Sequence, residues 1–239
     1  MTARAGTVCA LLLLAACGKP RDASILLFTG GGTSPGDVAA FETLLNANRF
    51  DFATADSWQL NRMDESDLRR YRLLIVPGGN FIHIGNGLTE AATATVRSAV
   101  AHGVNYLGVC AGAFFAGNTG RNSLNLTGVR FPFYSAEGRG IHKTAVPVAV
   151  PGSPTLEHYW EDGPELSGWG SVIGRYPDGT PAMVEGAAGA GWLVLTGVHP
   201  EAPESWRRGM TFATPAAADN AFAVKLVHAA MERTPLALR

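Results

Sequence analysis

The stretch Tyr106-Leu107-Gly108-Val109-Cys110-Ala111-Gly112 decides how this chain folds and where its chemistry lies. An apolar run from Asn105 to Val109 ends in a cysteine that has a glycine two residues away on each side. The pattern predicts a buried strand that delivers Cys110 into a sharp turn, with a helix continuing through Ala111–Ala116. Small neighbours are needed there, because such a turn strains the backbone of its central residue and brings neighbouring chain close. The placement suits a nucleophile with sulfur at its reactive end.

Working outward, short apolar runs recur at Ser24–Thr29, Leu73–Val76 and Trp192–Thr196, with a less apolar one at Phe52–Ala55. They alternate with helical signals. Ser34, Pro35 and Asp37 suit the N-cap, first position and first turn of a helix running to about Asn48. Glu65–Tyr71, Thr89–Ala101 (stopped by Gly103) and Ala216–Glu232 read as further helices. The middle, about 118–188, is rich in Gly, Pro and aromatics and reads as short strands and long loops, with Val146–Val150 the clearest strand. Alternating strands and helices predict an α/β fold: one domain over residues 24–239, a three-layer sandwich with a mainly parallel central sheet. Ligands bind beyond the carboxyl ends of such strands, where loops 30–34, 77–80 and 108–112 and His199 all fall. No internal repeat, low-complexity tract or domain linker is present.

The chain has 239 residues, 46% of them hydrophobic and 16% charged, with a net charge of −1. It has neither the basic stripe nor the basic block of a nucleic-acid partner. Residues 1–16 read as a secretion signal: Arg4 precedes an apolar run from Val8 to Ala16 that is too short to span a bilayer. The run ends Leu14-Ala15-Ala16-Cys17-Gly18, which resembles the lipobox of bacterial lipoproteins, with residues 17–23 as a tether. That resemblance implies cleavage before Cys17, a lipid on Cys17 and anchoring in a lipid membrane of the cell envelope. Gly18 after the cysteine points to the periplasmic face of the outer membrane. Processing removes Cys9 and acylates Cys17, so of the 3 cysteines only Cys110 keeps a free thiol and no intramolecular disulfide can form.

A thiol needs a base to become a thiolate, and the base needs a partner to hold its tautomer. Val198-His199-Pro200-Glu201 supplies both. In an extended segment residues two apart share a side, so Glu201 is expected beside the His199 imidazole. Cys110, His199 and Glu201 therefore form a candidate catalytic triad. His83, His102, His142, His158 and His228 have no matching partner motif and read as surface or structural residues.

Gly108-Val109-Cys110-Ala111-Gly112, Pro77-Gly78-Gly79 and His199-Pro200-Glu201 together resemble the class I glutamine amidotransferase superfamily, whose fold is flavodoxin-like. Gly30-Gly31-Gly32-Thr33-Ser34, Pro77-Gly78-Gly79, Leu107–Ala113 and Tyr159-Trp160-Glu161-Asp162-Gly163-Pro164 resemble, within it, the biotin-protein ligase N-terminal-like domain. The resemblance implies that Cys110 attacks an amide carbonyl carbon and forms a thioester. His199 takes the thiol proton and returns it to the leaving amine, and Glu201 orients His199. The backbone N–H of Ala111 and one from Gly78 or Gly79 would receive the oxyanion. Gly31, Gly32, Asn80 and Tyr159 are candidates for contacts with a small-molecule or peptide amide substrate. The 30–34 loop lacks the lysine of a P-loop and reads first as a turn. No metal or organic cofactor is required by such a triad.

Departures from the family are informative as well. Neither a synthetase domain nor a ligase catalytic half is visible in the chain, so a biotinylation activity is not implied. Ala111 stands where the related intracellular peptidases place histidine. The alternative expectation is a non-catalytic lipoprotein that uses the same cleft to bind a ligand or an envelope protein partner.

Overall fold

The computed structural model describes residues 23–120, 122–134 and 141–237. The signal and lipobox expectations, with Cys17, fall outside the described residues. Nine strands and seven α-helices are described. Strands β1 (Ile25–Phe28), β2 (Phe52–Ala55), β3 (Leu73–Val76), β4 (Asn105–Val109) and β9 (Gly191–Thr196) pair in parallel, while β7 (Ser171–Arg175) and β8 (Pro181–Ala188) extend the same sheet antiparallel. The sheet order is β2-β1-β3-β4-β9-β8-β7. A separate antiparallel hairpin, β5 (Lys143–Val148) with β6 (Leu156–Glu161), stands beside it.

The apolar runs become central strands because both sheet faces are covered. Ile25, Leu27, Leu73, Ile75, Leu107 and Val194 pack on one face with Phe41, Leu44 and Leu45 of α1 (Pro35–Ala47) and Phe222, Leu226 and Val227 of α7 (Ala216–Glu232). The alternate residues Leu26, Phe28, Leu74, Val76, Leu193 and Leu195 pack on the other face. There they meet α2 (Ser57–Leu60), α3 (Glu65–Leu68), α4 (Phe81–Gly87), α5 (Glu90–Ala101) and α6 (Ala111–Ala116). The strand period of two thus distributes one sequence between two helical layers. This is the α/β single domain with a mainly parallel sheet that the sequence predicts.

The middle of the chain holds more strand than its composition suggests. β6, β7 and β8 were legible only as short strands among loops, and the strand expected at Val146–Val150 begins earlier, at Lys143. Among the described residues no helix is long and apolar enough to cross a membrane.

Candidate active site

Cys110 follows the last residue of β4 and caps α6 with φ 49° and ψ −104°, a conformation that residues with side chains rarely adopt. Its N–H donates to the Thr196 carbonyl of the neighbouring β9 at 2.8 Å, which stitches the turn to the sheet edge. Gly112 faces the Val76 carbonyl so closely that a Cβ there would overlap it. The Tyr106 hydroxyl donates to the Gly112 carbonyl at 2.7 Å and holds the turn from below. Cys110 is 6% exposed, and its thiol donates to the Glu161 carbonyl at 3.5 Å.

β4 and β9 are parallel neighbours with Val109 opposite Thr196, so their C-terminal ends release Cys110 and the His199 loop at the same place. His199 is buried, and its N–H donates to the Tyr159 carbonyl at 2.8 Å. The rings of Tyr159 and Trp206 cage the imidazole edge-on, with centroids 5.6 and 5.8 Å away. Glu201 does reach Nδ1, with Oε1 at 2.9 Å. It does so through a turn rather than an extended segment: the Ala202 N–H donates to the His199 carbonyl at 3.2 Å, with Pro200 at the position of that turn where its fixed φ is favoured. The Asn220 side chain donates to the carbonyls of Pro200 and Ala202 at 3.0 and 3.2 Å and holds the turn.

A second carboxylate meets the same nitrogen. Asp37 Oδ1 lies 3.1 Å from His199 Nδ1 and the residue is buried. In the sequence Asp37 reads as a first-turn helix acid only. The signal was present, because positions 37, 40, 41, 44 and 45 form the core-facing stripe of α1, and an acid on that stripe requires a partner inside. With Nδ1 facing two carboxylates, the imidazole proton belongs there. Nε2, buried and without a hydrogen-bond partner among the described residues, is left to act as the base.

The three groups divide the charge between them. Burial pulls the His199 pKa down, but Glu201, a Cys110 thiolate and Asp37 outweigh it and hold the imidazolium well above the ordinary value. Burial raises Asp37, yet the His199 charge and hydrogen bonds from His199 and Ser34 prevail and leave it lowered. Glu201, more deeply enclosed, is raised by burial against the pull of His199. Asp37 is therefore the firmer anion and Glu201 the closer orienter. The pair Asp37–His199 contributes stability that fades as pH falls through the Asp37 pKa and fades again as pH rises through the His199 pKa; Glu201, raised, works against stability once the pH climbs above its ordinary value. Asp37→Asn is expected to lower the His199 pKa, as read from its ring-proton NMR titration; an unchanged titration would show that Asp37 is electrostatically idle. The ligand atoms of Asp37, His199 and Glu201 lie within 4.8 Å of one another, so these three could also hold a cation.

Cys110 and His199 open onto one cleft of about 220 Å³, lined also by Asp37, Gly79, Asn80 and Ala111. Ala111 begins α6, where the first backbone N–H groups have no helical acceptor. Gly79, at φ 141°, holds the opposite rim. Gly78 is placed differently from the sequence expectation: its Cα packs against Asp37 and the His199 ring, leaving no room for a side chain, and it does not line the cleft. Gly31 and Gly32 lie outside the lining too. The Gly31 N–H donates to Ser57 Oγ at 3.0 Å and the Gly32 carbonyl accepts from the Asn80 N–H at 2.7 Å, so the 30–33 turn buttresses the 77–80 loop instead of touching the cleft. Asn80 lines the cleft while its Oδ1 accepts from the N–H groups of Ile82 and His83, both at 3.0 Å. Tyr159 is buried behind His199, and its hydroxyl donates to Glu161 Oε2 at 2.6 Å. Besides Asp37, the cleft is lined by residues that the sequence does not mark as site residues: Ser34, Phe81, Phe114, Phe133, Ile141, Glu161 and Asp162.

Within this sandwich the strained cysteine stands at the C-terminal edge of a mainly parallel central sheet, and the fold is that of glutamine amidotransferase-like structures. The family described as biotin-protein ligase, N terminal, matches residues 23–142, and the chain belongs to it. His199 and Glu201 lie beyond the matched residues. Among solved structures, a chain of PurLQS from Thermotoga maritima is similar at 16% identity and TM-score 0.59, covering 85% of this chain and 97% of that one. The cytoplasmic protein STM3548 from Salmonella typhimurium is similar at 11% identity and TM-score 0.54, covering 86% and 98%. The exo-beta-1,4-mannosidase Op5Man5 from Opitutaceae bacterium strain TAV5 is similar at 14% identity and TM-score 0.52, covering 84% of this chain but 35% of that one. The same architecture is thus also found as part of a glycosidase, so function has to be argued from the site. No curated protein matches the chain.

Proposed function

We propose that this protein is a cysteine amidohydrolase or amidotransferase-like enzyme, acting through a thioester at the bacterial cell envelope. The observation that carries the reading is the strained Cys110 sharing one cleft with a buried His199 whose Nδ1 faces Glu201 and Asp37 and whose Nε2 has no hydrogen-bond partner among the described residues. His199 Nε2 takes the proton from the Cys110 thiol, and the thiolate attacks an amide carbonyl carbon. The N–H groups of Ala111 and Gly79 receive the oxyanion. The imidazolium returns its proton to the departing amine, leaving a thioester. Water or an acceptor amine, deprotonated in turn by His199, then releases the acyl group and restores the thiol. One oxyanion donor is worth roughly 3–4 kcal/mol in comparable sites.

Anchoring rests on the lipobox-like Leu14-Ala15-Ala16-Cys17. Expressed in a Gram-negative host, the wild-type protein is expected in the outer-membrane fraction and Cys17→Ala in a soluble or uncleaved form; equal fractionation of both would remove the lipid from the proposal. The experiment that tests the enzymatic reading is ammonia or amine release from a panel of amides by wild type and Cys110→Ala. A rate that does not depend on Cys110 would overturn it.

A further inference from the structure

We infer that the cleft selects an uncharged or cationic amide with an apolar side chain, and that carboxylate-bearing amides such as free glutamine are poor occupants. The inference rests on the reading of Cys110 as the nucleophile and adds the substrate class. It comes from how the two sides of the cleft differ.

One side is aromatic. Phe114, on α6 four residues beyond Cys110, lines the same cleft. Its ring stacks on Phe81 with centroids 4.7 Å apart and meets Phe133 at 4.7 Å, while Phe81 and Phe133 are 6.1 Å apart. Phe81 follows directly on the Asn80 rim, so the apolar wall starts where the oxyanion would sit. Phe133 is 45% exposed and Ile141, at the same mouth, 71%. Scattered exposed apolar residues are ordinary, but a contiguous group beside a reactive centre marks a surface that a ligand covers.

Among the described residues, the charged side chains lining the cleft are those of Asp37, Glu161, Asp162 and His199. Glu161 Oε2 accepts from the Tyr159 hydroxyl and pairs with Lys143 at 3.4 Å, so that lysine is already engaged. The Asp162 carboxylate accepts from the His142 N–H at 3.2 Å, and its backbone is held at φ 43°. A substrate carboxylate entering here would meet the Glu161 and Asp162 carboxylates at close range in a partly dry site and would lose its hydration, while the cation of the described lining, the His199 imidazolium, is already shared by Glu201 and Asp37. An apolar group would displace water from the exposed parts of the Phe81 and Phe133 rings and gain by it. The cleft's volume suits an amide with one side chain.

Haloacetyl probes of Cys110 test this without knowledge of the natural substrate. In each case Sγ forms a bond to the methylene carbon, iodide leaves and the thiol proton passes to solvent. Rates are taken relative to free cysteine with the same probe. Cys110 is expected to prefer N-benzyliodoacetamide over iodoacetamide by at least about tenfold, and iodoacetamide over iodoacetate by a similar factor. Phe133→Ser should reduce the benzyl preference at least fivefold, and Phe133→Leu should keep most of it, which separates loss of the wall from loss of the fold. A normalised iodoacetate rate equal to or above that of iodoacetamide, or a benzyl preference that survives Phe133→Ser, overturns the inference. Failure of the underlying reading looks different: absolute iodoacetamide rates would match free cysteine and would not respond to His199→Ala, while the probe ratios could still hold.

Discussion

Cys110→Ala is expected to abolish amide cleavage, and His199→Ala to lower kcat/KM by about a hundred- to ten-thousandfold, the usual worth of a positioned proton-transfer group. Both follow from the way the sheet delivers these residues. Val109 and Thr196 are register partners, so the thiol and the imidazole leave adjacent strands at one edge. Glu201 and Asp37 then hold the proton on Nδ1. The two losses should not add, because a thiol without its base and a base without its thiol fail at the same step. Ammonia release measures the rate, and intact mass after iodoacetamide treatment measures thiol reactivity. Retention of most activity in His199→Ala would remove the triad from the mechanism. The pH profile has a definite sign as well. His199 must be protonated when the amine departs, so the alkaline limb of kcat/KM follows the raised imidazole pKa and moves to lower pH when Asp37 becomes asparagine.

Asp219→Ala is expected to cost about 3–5 kcal/mol, the typical penalty for leaving a buried ion without its partner. Arg207 lies in a short 3₁₀ turn, Glu204–Arg207, and Asp219 in the first turns of α7; both are buried. They meet at 2.6 Å through Nη2 and Oδ2, and Arg207 Nη1 donates to the Thr214 carbonyl at 2.6 Å. His158 Nδ1 lies 3.2 Å from the same carboxylate oxygen. Of the histidines that read in the sequence as surface or structural, His158 is a core residue. The cluster fixes the segment that carries Trp206 against the His199 ring. At roughly 2–4 °C per kcal/mol for a chain of this size, the unfolding midpoint should fall by about 6–20 °C. An apolar pair, Arg207→Met with Asp219→Leu, should recover much of the loss, because it removes both charges together. A calorimetric shift of under about 1 °C in Asp219→Ala would show that Arg207 finds water or another partner.

Periodicity made the strands and helices legible. Ile25–Phe28, Leu73–Val76 and Asn105–Val109 are buried along their whole length, and a continuous apolar run says as much. Helix α1 carried its own cap, proline and acidic first turn, and the structure places its start at Pro35. The β6, β7 and β8 strands were obscured because glycine, proline and aromatic residues serve loops and edge strands equally well. The orientation of Glu201 toward His199 was anticipated, but the extended backbone expected to produce it is a turn around Pro200. That turn depends on Asn220 of α7, a contact made across 20 residues of sequence.

The sequence by itself determined the α/β sandwich, the elbow at Cys110 and the proximity of Glu201 to His199. These depend on local spacing: apolar runs of strand length, glycines beside a strained residue, and two groups separated by one proline. Tertiary structure alone decided which carboxylates share the imidazole, which glycines face the cleft and which merely make room, and which rings wall it. Asp37 reaches His199 from the other end of the chain, Gly78 is spent on packing beneath them, and Phe81, Phe114 and Phe133 converge from three separate segments. Each is a long-range contact, set by how the layers stack on the sheet: the helical stripe of α1 marks Asp37 as a buried acid, but nothing local names its partner.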